Sequence, residues 1–304
     1  MKTKTKVLIG TSIVSTLAAG YFVSGYIGLL YAARRRKHSS VILHPLTQNE
    51  LDYIKNLEKE TLSITSFDGI RLKGTLIKGN TNKVVICVHG YHSSGYRDFQ
   101  YFIRFYHELG YTILLPEDRG HGDSQGKYIG FGWQDRLDLI EWIHELQKYF
   151  RFQPIQIALH GISMGASTVL MASGEDLSSD VKCIISDCAY SNIKEEFRYF
   201  LKEAKLPSRT ILSSAIILSK HILGYDLRKA DAVKQVEKSH IPTLFIHGDQ
   251  DTVVPVRNAS QLYNACSAEK ELIIVKGAEH ADSIITNPDL YFEKLKEFLD
   301  NHIN

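Results

Sequence analysis

Apolar residues in this chain form short continuous runs that alternate with longer segments of helical spacing. Six runs of six to eight residues are largely apolar at successive positions instead of at every second position. Strands of this kind are buried on both faces, as in a parallel sheet that helices cover on both sides. The six predicted strands are Val84–Gly90, Tyr111–Asp118, Ile155–Gly161, Cys183–Cys188, Thr243–Asp249 and Glu271–Gly277.

Two further strands are predicted before this series. Leu62–Ile77 alternates apolar and polar residues around Asp68-Gly69, which predicts a β-hairpin with a type I′ turn. A hairpin that leads into β-α-β units predicts an α/β fold with a doubly wound, mostly parallel eight-stranded sheet. The predicted helices include Thr47 to about Glu60, which starts with a capping box of Thr47 and Glu50, then Phe131–Phe150 and Asp289 to about His302.

One segment departs from the alternation. Between Cys188 and Thr243 lie 54 residues, where one connecting helix would suffice, and two stretches within it have helical spacing. We interpret residues 191–226 as a small helical lid beside the site, with Phe200 and Ile216 as candidate substrate contacts. The alternative is a helix pair that simply closes the core.

The N-terminus has a different pattern. Val7–Tyr31 contains no charged residue over 25 positions, and as a helix it would span about 37 Å, enough for a bilayer core of roughly 30 Å. Basic residues precede the run at positions 2, 4 and 6 and follow it at positions 34–37. We predict one transmembrane helix that anchors a single-pass protein in the cell membrane and takes no part in catalysis. The alternative is a cleaved signal peptide that ends near Ala18-Ala19.

These patterns divide the chain into an N-terminal anchor with basic flanks (1–37), a juxtamembrane linker with a helix (38–60) and one α/β domain (61–304). The cations on the two sides of the run are nearly equal in number, so the positive-inside rule leaves the orientation open. The four cysteines are predicted to be buried free thiols, which slightly favours a reducing, cytoplasmic side for the domain.

The amino-acid composition limits the classes of partner that we expect the protein to bind. The 304 residues are 44% hydrophobic and 23% charged, with a formal net charge of +2, which is an ordinary globular composition. This balance gives no electrostatic basis for a nucleic-acid partner. A small-molecule substrate and, through the N-terminal run, a membrane are the expected partners.

Most candidate polar groups follow the ends of predicted strands. In doubly wound sheets the ligand site lies at the carboxyl ends of the strands, so these groups should meet at one edge. Ser163 lies in the pattern G-I-S-M-G between a strand and a helix, where small neighbours leave room for a sharp turn. The backbone amide of Met164 at the helix start and that of Tyr91 after the strand ending in a His-Gly pair are the candidate oxyanion-hole donors.

A serine nucleophile needs a base and a carboxylate that orients the base. His280 is preferred among the 13 histidines because it lies in the loop between the last strand and the last helix. Asp251 is preferred to Asp249 because it lies deeper in the loop that follows Gly248. Three histidines inside or at the ends of strands are interpreted as structural: His89, His160 and His247.

The chain order Ser163, Asp251, His280 resembles that of the catalytic residues in the α/β-hydrolase superfamily. The sharp turn at Ser163 and the His-Gly turn before Tyr91 resemble the same superfamily. The segment DRGHGDSQG (118–126) is similar to the loop that many members carry after the fourth strand. HGDQDTVVP (247–255) is similar to their acid loop, in which the second aspartate belongs to the triad. The likeness covers residues 62–303 and implies structural roles for Asp118, Arg119, His121 and Ser124.

The lidded, anchored arrangement is similar to bacterial serine esterase-like members of the superfamily. The lipase-type HGGG turn is not matched, and Ser163 occupies the position of the aspartate nucleophile of dehalogenase-like members. The expected function is hydrolysis of carboxylic esters through an acyl-enzyme, with short to medium acyl chains favoured because a lid of 36 residues covers a small pocket. No metal or organic cofactor is implied.

Three alternatives stay open. A peptidase or amidase would use the same triad, although no propeller-like domain precedes the motifs. An acyltransferase would admit an alcohol in place of water. A membrane-bound binding protein could retain the scaffold without catalysis, although an intact triad argues against this interpretation.

Overall fold

One eight-stranded sheet organises the part of the chain that the computed structural model describes, residues 19–35 and 46–304. Its strands are β1 (Lys59–Thr65), β2 (Arg71–Ile77), β3 (Lys83–Val88), β4 (Thr112–Pro116), β5 (Gln156–Ile162), β6 (Val181–Asp187), β7 (Thr243–Gly248) and β8 (Lys270–Val275). The spatial order is β1-β2-β4-β3-β5-β6-β7-β8. β2 pairs antiparallel with β1 and with β4, and the other neighbours are parallel. The predicted doubly wound, mostly parallel sheet is therefore confirmed.

Helices cover both faces of this sheet. In chain order they are α1 (residues 19–33), α2 (Gln48–Asn56), α3 (Gly95–Glu108), α4 (Asp135–Tyr149), α5 (Met164–Ala172), α6 (Ile193–Glu203), α7 (Ser208–Ile222), α8 (Ala232–Val236), α9 (Arg257–Ala265), α10 (Ser283–Thr286) and α11 (Pro288–His302).

Two buried apolar clusters lie on the two sides of the sheet. Along β3, Val84, Ile86 and Val88 belong to one cluster, whereas Val85 and Cys87 belong to the other. Successive side chains of a strand point to opposite faces, so this division means that β3 is buried on both sides. The continuous apolar runs of the sequence follow from this two-sided burial. All four cysteines are buried and unpaired.

The segment before the sheet differs from its prediction in one boundary. The Thr47–Glu50 capping box is present, but the helix that it starts ends at Asn56 instead of near Glu60. Lys59 already belongs to β1, where it pairs with the far end of β2. Strand pairing, a tertiary contact, overrides the local helical spacing here.

The inserted segment forms two helices, α6 and α7, as predicted. Leu212, Ala215 and Leu223 of its apolar stripe are buried, and Ile216 packs against the main core cluster while remaining partly accessible. Phe200 on α6 is 56% exposed. The insertion thus contributes both to the core and to the surface above the carboxyl edge of the sheet.

The N-terminal helix α1 packs on the same insertion. Leu29 and Ala33 are buried in the main core cluster, and the Tyr21 hydroxyl donates to Ser213 Oγ at 2.9 Å. Residues 19–33 therefore lie against the α/β domain, whereas the sequence suggested an anchor held apart by a linker. Across residues 19–35 and 46–304, the structure contains no helix with the length and apolar character needed to cross a bilayer. The predicted run begins at Val7, and its part up to residue 18 lies outside the described residues.

Candidate active site

The turn between β5 and α5 presents Ser163 in a strained conformation. Its φ angle is 56°, in the left-handed region that side-chain-bearing residues seldom adopt. A Cβ at Gly165 would lie 1.9 Å from the Val88 carbonyl oxygen, and one at Gly161 would lie 2.3 Å from the Gly165 carbonyl oxygen. Both flanking positions therefore require glycine, and strain of this kind is common at functional sites.

Three residues predicted from separate strand ends meet at this turn. Ser163 Oγ lies 2.8 Å from His280 Nε2, and His280 Nδ1 lies 2.7 Å from Asp251 Oδ2. Both distances are hydrogen bonds, so the hydroxyl can give its proton to the imidazole while the carboxylate fixes the orientation of the ring.

The Asp251 carboxylate is buried and strongly hydrogen-bonded. Its Oδ1 accepts the backbone N–H groups of Val253 at 2.9 Å and Val254 at 2.8 Å, and its Oδ2 lies 3.2 Å from His247 Nε2. Burial alone would raise the pKa of Asp251, but the hydrogen bonds from His247 and His280 outweigh burial and hold this pKa well below its usual range. Asp251 therefore stays ionised and can stabilise a positively charged His280.

Asp249 has a different position. Its Oδ1 accepts the backbone N–H of Gly277 at 2.7 Å, which ties the loop after β7 to the loop after β8. The structural histidines are also held within the fold. His160 contacts the Tyr106 hydroxyl at 2.8 Å, and His247 Nε2 lies 2.7 Å from the Val254 carbonyl oxygen.

The backbone segments that carry the two predicted oxyanion donors lie next to Ser163. A Cβ on Gly90 would lie 3.3 Å from Ser163 Cβ, so the turn that leads to Tyr91 lies against Ser163. Asp98 braces this turn by accepting the Gly90 N–H at 2.7 Å. Met164 begins α5, where backbone amides point outward from the helix end. The two backbone segments thus approach the serine from the strand side and from the helix side.

The loop over residues 118–126 supports the wall of the site. Arg119 is buried, and its guanidinium contacts Asp138 at 2.7 Å and Asp68 at 2.8 Å, which links the β1–β2 turn to α4. His121 Nε2 accepts the His92 N–H at 3.0 Å. Asp118 and Ser124 belong to the same loop: the Ser124 hydroxyl donates to the Glu117 carbonyl, and the Asp118 N–H donates to His89. These contacts hold the loop in shape, as the resemblance implied.

A cavity of about 360 Å³ opens beside Ser163. Its walls are mostly apolar and aromatic, with residues from α1, the β3 turn, α6 and the loop after β7. Phe200 lines this cavity, whereas Ile216 does not, because its side chain packs against the core. The lining residues are Tyr31, Ala32, Tyr91, Phe131, Ser163, Met164, Tyr190, Ile193, Glu196, Phe197, Phe200, Val253 and Val254.

Two carboxyl groups and one backbone segment near the site were missed by the sequence reasoning. Glu196 lines the apolar cavity, and burial together with the negative charge of Asp251 raises its pKa to about 7. Asp187 ends β6, accepts the Tyr291 hydroxyl at 3.0 Å and has its pKa raised to about 6, chiefly by burial. Helical spacing carried a signal for Glu196, since it shares the face of Ile193 and Phe200. No sequence pattern indicated the segment at Tyr31-Ala32, because its contacts with the site form only in the tertiary structure.

One group of possible metal ligands shares Asp251 and His280 with the hydrogen-bonded set at Ser163. Cys188, Asp251 and His280 place ligand atoms within 4.8 Å of one another among the described residues. The Asp251–His280 hydrogen bond already joins two of these atoms, and burial raises the pKa of the Cys188 thiol well above its ordinary value. A thiol is a metal ligand as the thiolate, so the grouping fits a hydrogen-bonded triad better than a metal site.

Several known proteins are similar to this chain in sequence or in fold. The chain is 30% identical over 299 residues to the uncharacterised protein YqkD of Bacillus subtilis (strain 168), with 96% of each chain covered. It is 22% identical over 251 residues to a thermostable monoacylglycerol lipase of a Bacillus species, covering 72% of this chain and 90% of the lipase. The solved esterase Pf2001 of Pyrococcus furiosus superposes with a TM-score of 0.69 at 23% identity, covering 90% of this chain and 98% of that one.

The sequence profile of the prolyl oligopeptidase family matches residues 97–304. This match spans the turn at Ser163, the acid loop and the histidine loop, and it includes five of the eight strands, β4 to β8, whereas β1 to β3 lie before residue 97. The esterase superposition extends the same architecture over most of the remaining chain. The chain therefore belongs to the prolyl oligopeptidase family of α/β-hydrolases.

Proposed function

We propose that this protein is a serine hydrolase that cleaves carboxylic esters through an acyl-enzyme intermediate. The observation that carries the proposal is the hydrogen-bonded series from Ser163 through His280 to Asp251 at the wall of an apolar cavity. A nucleophile, a base and an orienting carboxylate are the parts that acyl transfer requires.

The proposed first half-reaction acylates the enzyme. His280 Nε2 takes the proton from Ser163 Oγ as this oxygen attacks the ester carbonyl carbon, and the carbonyl oxygen becomes an oxyanion. The backbone N–H groups of Tyr91 and Met164 donate to that oxyanion. Collapse of the tetrahedral intermediate breaks the bond to the alcohol oxygen, which receives the proton from His280.

Water completes the cycle. His280 takes a proton from water, the resulting hydroxide attacks the acyl carbon, and the bond to Ser163 Oγ breaks as His280 returns the proton to the serine. Asp251, which the surrounding hydrogen bonds keep ionised, stabilises the imidazolium in both halves. The net reaction consumes one water and releases an acid and an alcohol.

The cavity supports short to medium acyl chains. A volume of about 360 Å³ is at the lower end of the roughly 300–1,000 Å³ typical of small-molecule sites. Its apolar lining fits an alkyl chain, and Phe200 on α6 contributes to that lining. Esterase and monoacylglycerol lipase activities of similar proteins support a small ester as the substrate class.

A peptidase or amidase is the second candidate, and the family to which the chain belongs favours it. The same triad would attack an amide carbonyl, with His280 protonating the leaving amine. An acyltransferase would differ in the acceptor, an alcohol in place of water.

Two measurements test the proposal together. A fluorophosphonate probe should label the wild-type protein at Ser163, and a series of acyl esters of graded chain length should be hydrolysed with a maximum at short or medium length. Aminoacyl amides assayed alongside separate the second candidate from the first. Hydrolysis of the amides without the esters would replace the esterase proposal, and the absence of both labelling and hydrolysis would end it.

We also propose membrane attachment through the N-terminal run. The uncharged stretch from Val7 to Tyr31 and the basic residues on both of its sides support it. Flotation of full-length protein with lipid vesicles tests attachment, and protease protection in intact cells tests which side the domain faces.

A further inference from the structure

The N-terminal helix α1 has two contrasting sides. Gly25, Leu29 and Ala33 are buried against the α/β domain. The approach is close, since a Cβ at Gly25 would lie 2.1 Å from Ser214 Oγ of α7 and one at Gly28 would lie 2.8 Å from Ile211 Cγ2. Small residues at a spacing of three to four thus let α1 lie directly on the lid helix.

The carboxyl end of α1 is fixed to the walls of the cavity. The Tyr91 hydroxyl donates to the Ala32 carbonyl at 2.6 Å, and the Ile129 N–H donates to the Ala33 carbonyl at 2.8 Å. The Arg35 guanidinium donates to the Ser124 carbonyl at 2.8 Å. Carbonyl groups at a helix end need partners, and the α/β domain supplies them here. Tyr31 and Ala32 are consequently part of the cavity wall.

The opposite side of α1 is apolar and exposed. Its five large side chains follow helical spacing and are 43–61% exposed: Phe22, Val23, Tyr26, Ile27 and Tyr31. A helix face of this kind is unusual on a surface that meets water alone and marks an interaction site. We define these five residues as the outer face of α1.

The mouth of the cavity continues this face. Four residues line the cavity and are also 40–61% exposed, so they form its rim: Tyr31, Tyr91, Phe200 and Val253. Tyr31 belongs to both the rim and the outer face. A ligand therefore enters between apolar and aromatic side chains that adjoin an apolar helix face.

The charges near α1 and the rim indicate which kind of surface this region binds. The first 49 residues contain no Asp or Glu, while seven Lys and Arg residues lie within positions 1–37. Lys205 in the turn between α6 and α7 and Arg209 in the first turn of α7 add two further cations. The uncharged run that starts at Val7 leads directly into α1. Apolar side chains beside clustered cations match an anionic bilayer, whose head groups attract cations while its acyl region takes up apolar side chains.

We propose that the outer face of α1 and the rim of the cavity form one lipid-contacting surface that seats the mouth of the active site on an anionic bilayer. The ester substrate is then an amphiphile of the membrane, and its acyl chain passes from the bilayer into the cavity without crossing water. This inference rests on the proposed ester hydrolysis, and it makes α1 a wall of the substrate site in addition to an attachment.

The test compares two substrates on the full-length protein. One is a short ester dissolved in water, and the other is a monoacyl ester embedded in phosphatidylcholine vesicles that contain phosphatidylglycerol. The variant is the pair Val23→Asp and Ile27→Asp on the outer face. The control is Phe152→Asp, which likewise replaces an exposed apolar side chain by a carboxylate. Phe152 is 75% exposed and lies before β5, at the opposite edge of the sheet.

We expect the paired variant to lower the ratio of the two hydrolysis rates, embedded ester over dissolved ester, by about tenfold or more. The reason is that each lost apolar contact weakens binding to the bilayer by roughly that factor. The dissolved ester should be hydrolysed at a rate within about twofold of wild type, and Phe152→Asp should leave the ratio unchanged. In wild type, omission of phosphatidylglycerol should lower the ratio, since it removes the negative head groups.

Other outcomes would overturn the inference. An unchanged ratio in the paired variant would mean that the outer face does not seat the mouth on lipid. Loss of a wild-type dimer in that variant, with the ratio unchanged, would assign the face to a second copy of the chain. Failure of wild type on both esters would instead end the proposed ester hydrolysis, which keeps the two proposals separable.

Discussion

The carboxyl edge of the sheet and the three helices above it are held together by different kinds of contact. We call these helices, α1, α6 and α7, the cover. At the edge, Ser163, Asp251 and His280 are joined by hydrogen bonds of 2.7–2.8 Å, and Asp251 accepts two further backbone N–H groups. In the cover, α1, α6 and α7 meet through apolar and small residues, and several large side chains remain exposed.

This contrast has a consequence for mutations. A hydrogen-bonded set with directional roles loses its function when one member changes, because the remaining members cannot take over the missing role. Apolar packing is graded, so a change in the cover should alter stability, chain-length preference or lipid contact by smaller amounts. The expected effects therefore decrease from the edge to the cover.

Removal of the proposed nucleophile should have the largest effect. Ser163→Ala is expected to lower kcat by about a thousandfold or more, because the covalent route is lost. Ester hydrolysis and circular dichroism of the same samples measure activity and fold. Ser167→Ala is the matched control in helix α5, which follows Ser163 directly. Its hydroxyl donates to the Tyr190 carbonyl, and the variant should stay within about tenfold of wild type. Near wild-type activity in a folded Ser163→Ala protein would remove Ser163 from its proposed role.

The two aspartates after β7 should differ by orders of magnitude. Asp251→Asn is expected to lower kcat by about 10⁴-fold, as in the serine-protease precedent, because an amide favours the wrong imidazole tautomer. Asp249→Asn should cost little activity, since an amide oxygen can still accept the Gly277 N–H. Steady-state kinetics of both variants decide the assignment, and a dead Asp249 variant beside an active Asp251 variant would reverse it.

Deletion of the N-terminal segment tests whether the cover belongs to the site. The sequence suggested that a chain starting near His38 keeps its turnover. The buried Leu29 and Ala33 and the cavity contacts of Tyr31 lead to a different expectation. The shortened chain should lose roughly 2–5 kcal/mol of stability and should hydrolyse dissolved esters with a higher KM. Urea unfolding and kinetics measure both, and unchanged values would mean that α1 contributes no wall.

Two substitutions in the inserted segment distinguish a residue that contacts the substrate from a residue that packs in the core. Phe200→Ala should shift the preferred acyl chain toward greater length, since each added methylene that finds room contributes about 0.8 kcal/mol, or roughly fourfold in specificity. Its melting temperature should change little because the side chain is 56% exposed. Ile216→Ala should cost about 2 kcal/mol of stability and leave the chain-length profile in place. If Phe200→Ala lost stability and Ile216→Ala shifted the preferred chain length instead, Phe200 would be the core residue and Ile216 the substrate contact.

The Glu196 carboxyl should give the smallest effect, and its sign depends on pH. Its pKa is raised to about 7 in the folded protein from an ordinary value of 4.5, so between these pH values the unfolded chain binds fewer protons and stability falls as pH rises. Glu196→Gln removes this penalty, and its gain in stability should be about 1–3 kcal/mol larger at pH 8 than at pH 4.5. Glu195→Gln, an exposed neighbour, is the control. A gain that does not change with pH would contradict the raised pKa of Glu196.

The sequence by itself determined the sheet and the edge at which its polar residues meet. Continuous apolar runs indicated strands buried on both faces, and the division of β3 between two core clusters gives the reason. Parallel strands bring their carboxyl ends together whatever the loop lengths, so Ser163, Asp251 and His280 could be grouped from residues far apart in the chain. Residue spacing also indicated the two helices of the inserted segment, α6 and α7.

The tertiary structure alone decided what covers that edge. Helical spacing shows that a residue shares a face with its neighbours, but it does not show whether that face contacts the substrate or the core. For this reason Ile216 was a candidate substrate contact, with packing in the core as the alternative. The uncharged N-terminal run likewise has the same composition whether it lies in lipid or on protein. Close approach at Gly25 and the bond from Tyr91 to Ala32 fix α1 on the cavity wall. Contacts of this kind depend on shape and distance in three dimensions, which the order of apolar and polar residues does not encode.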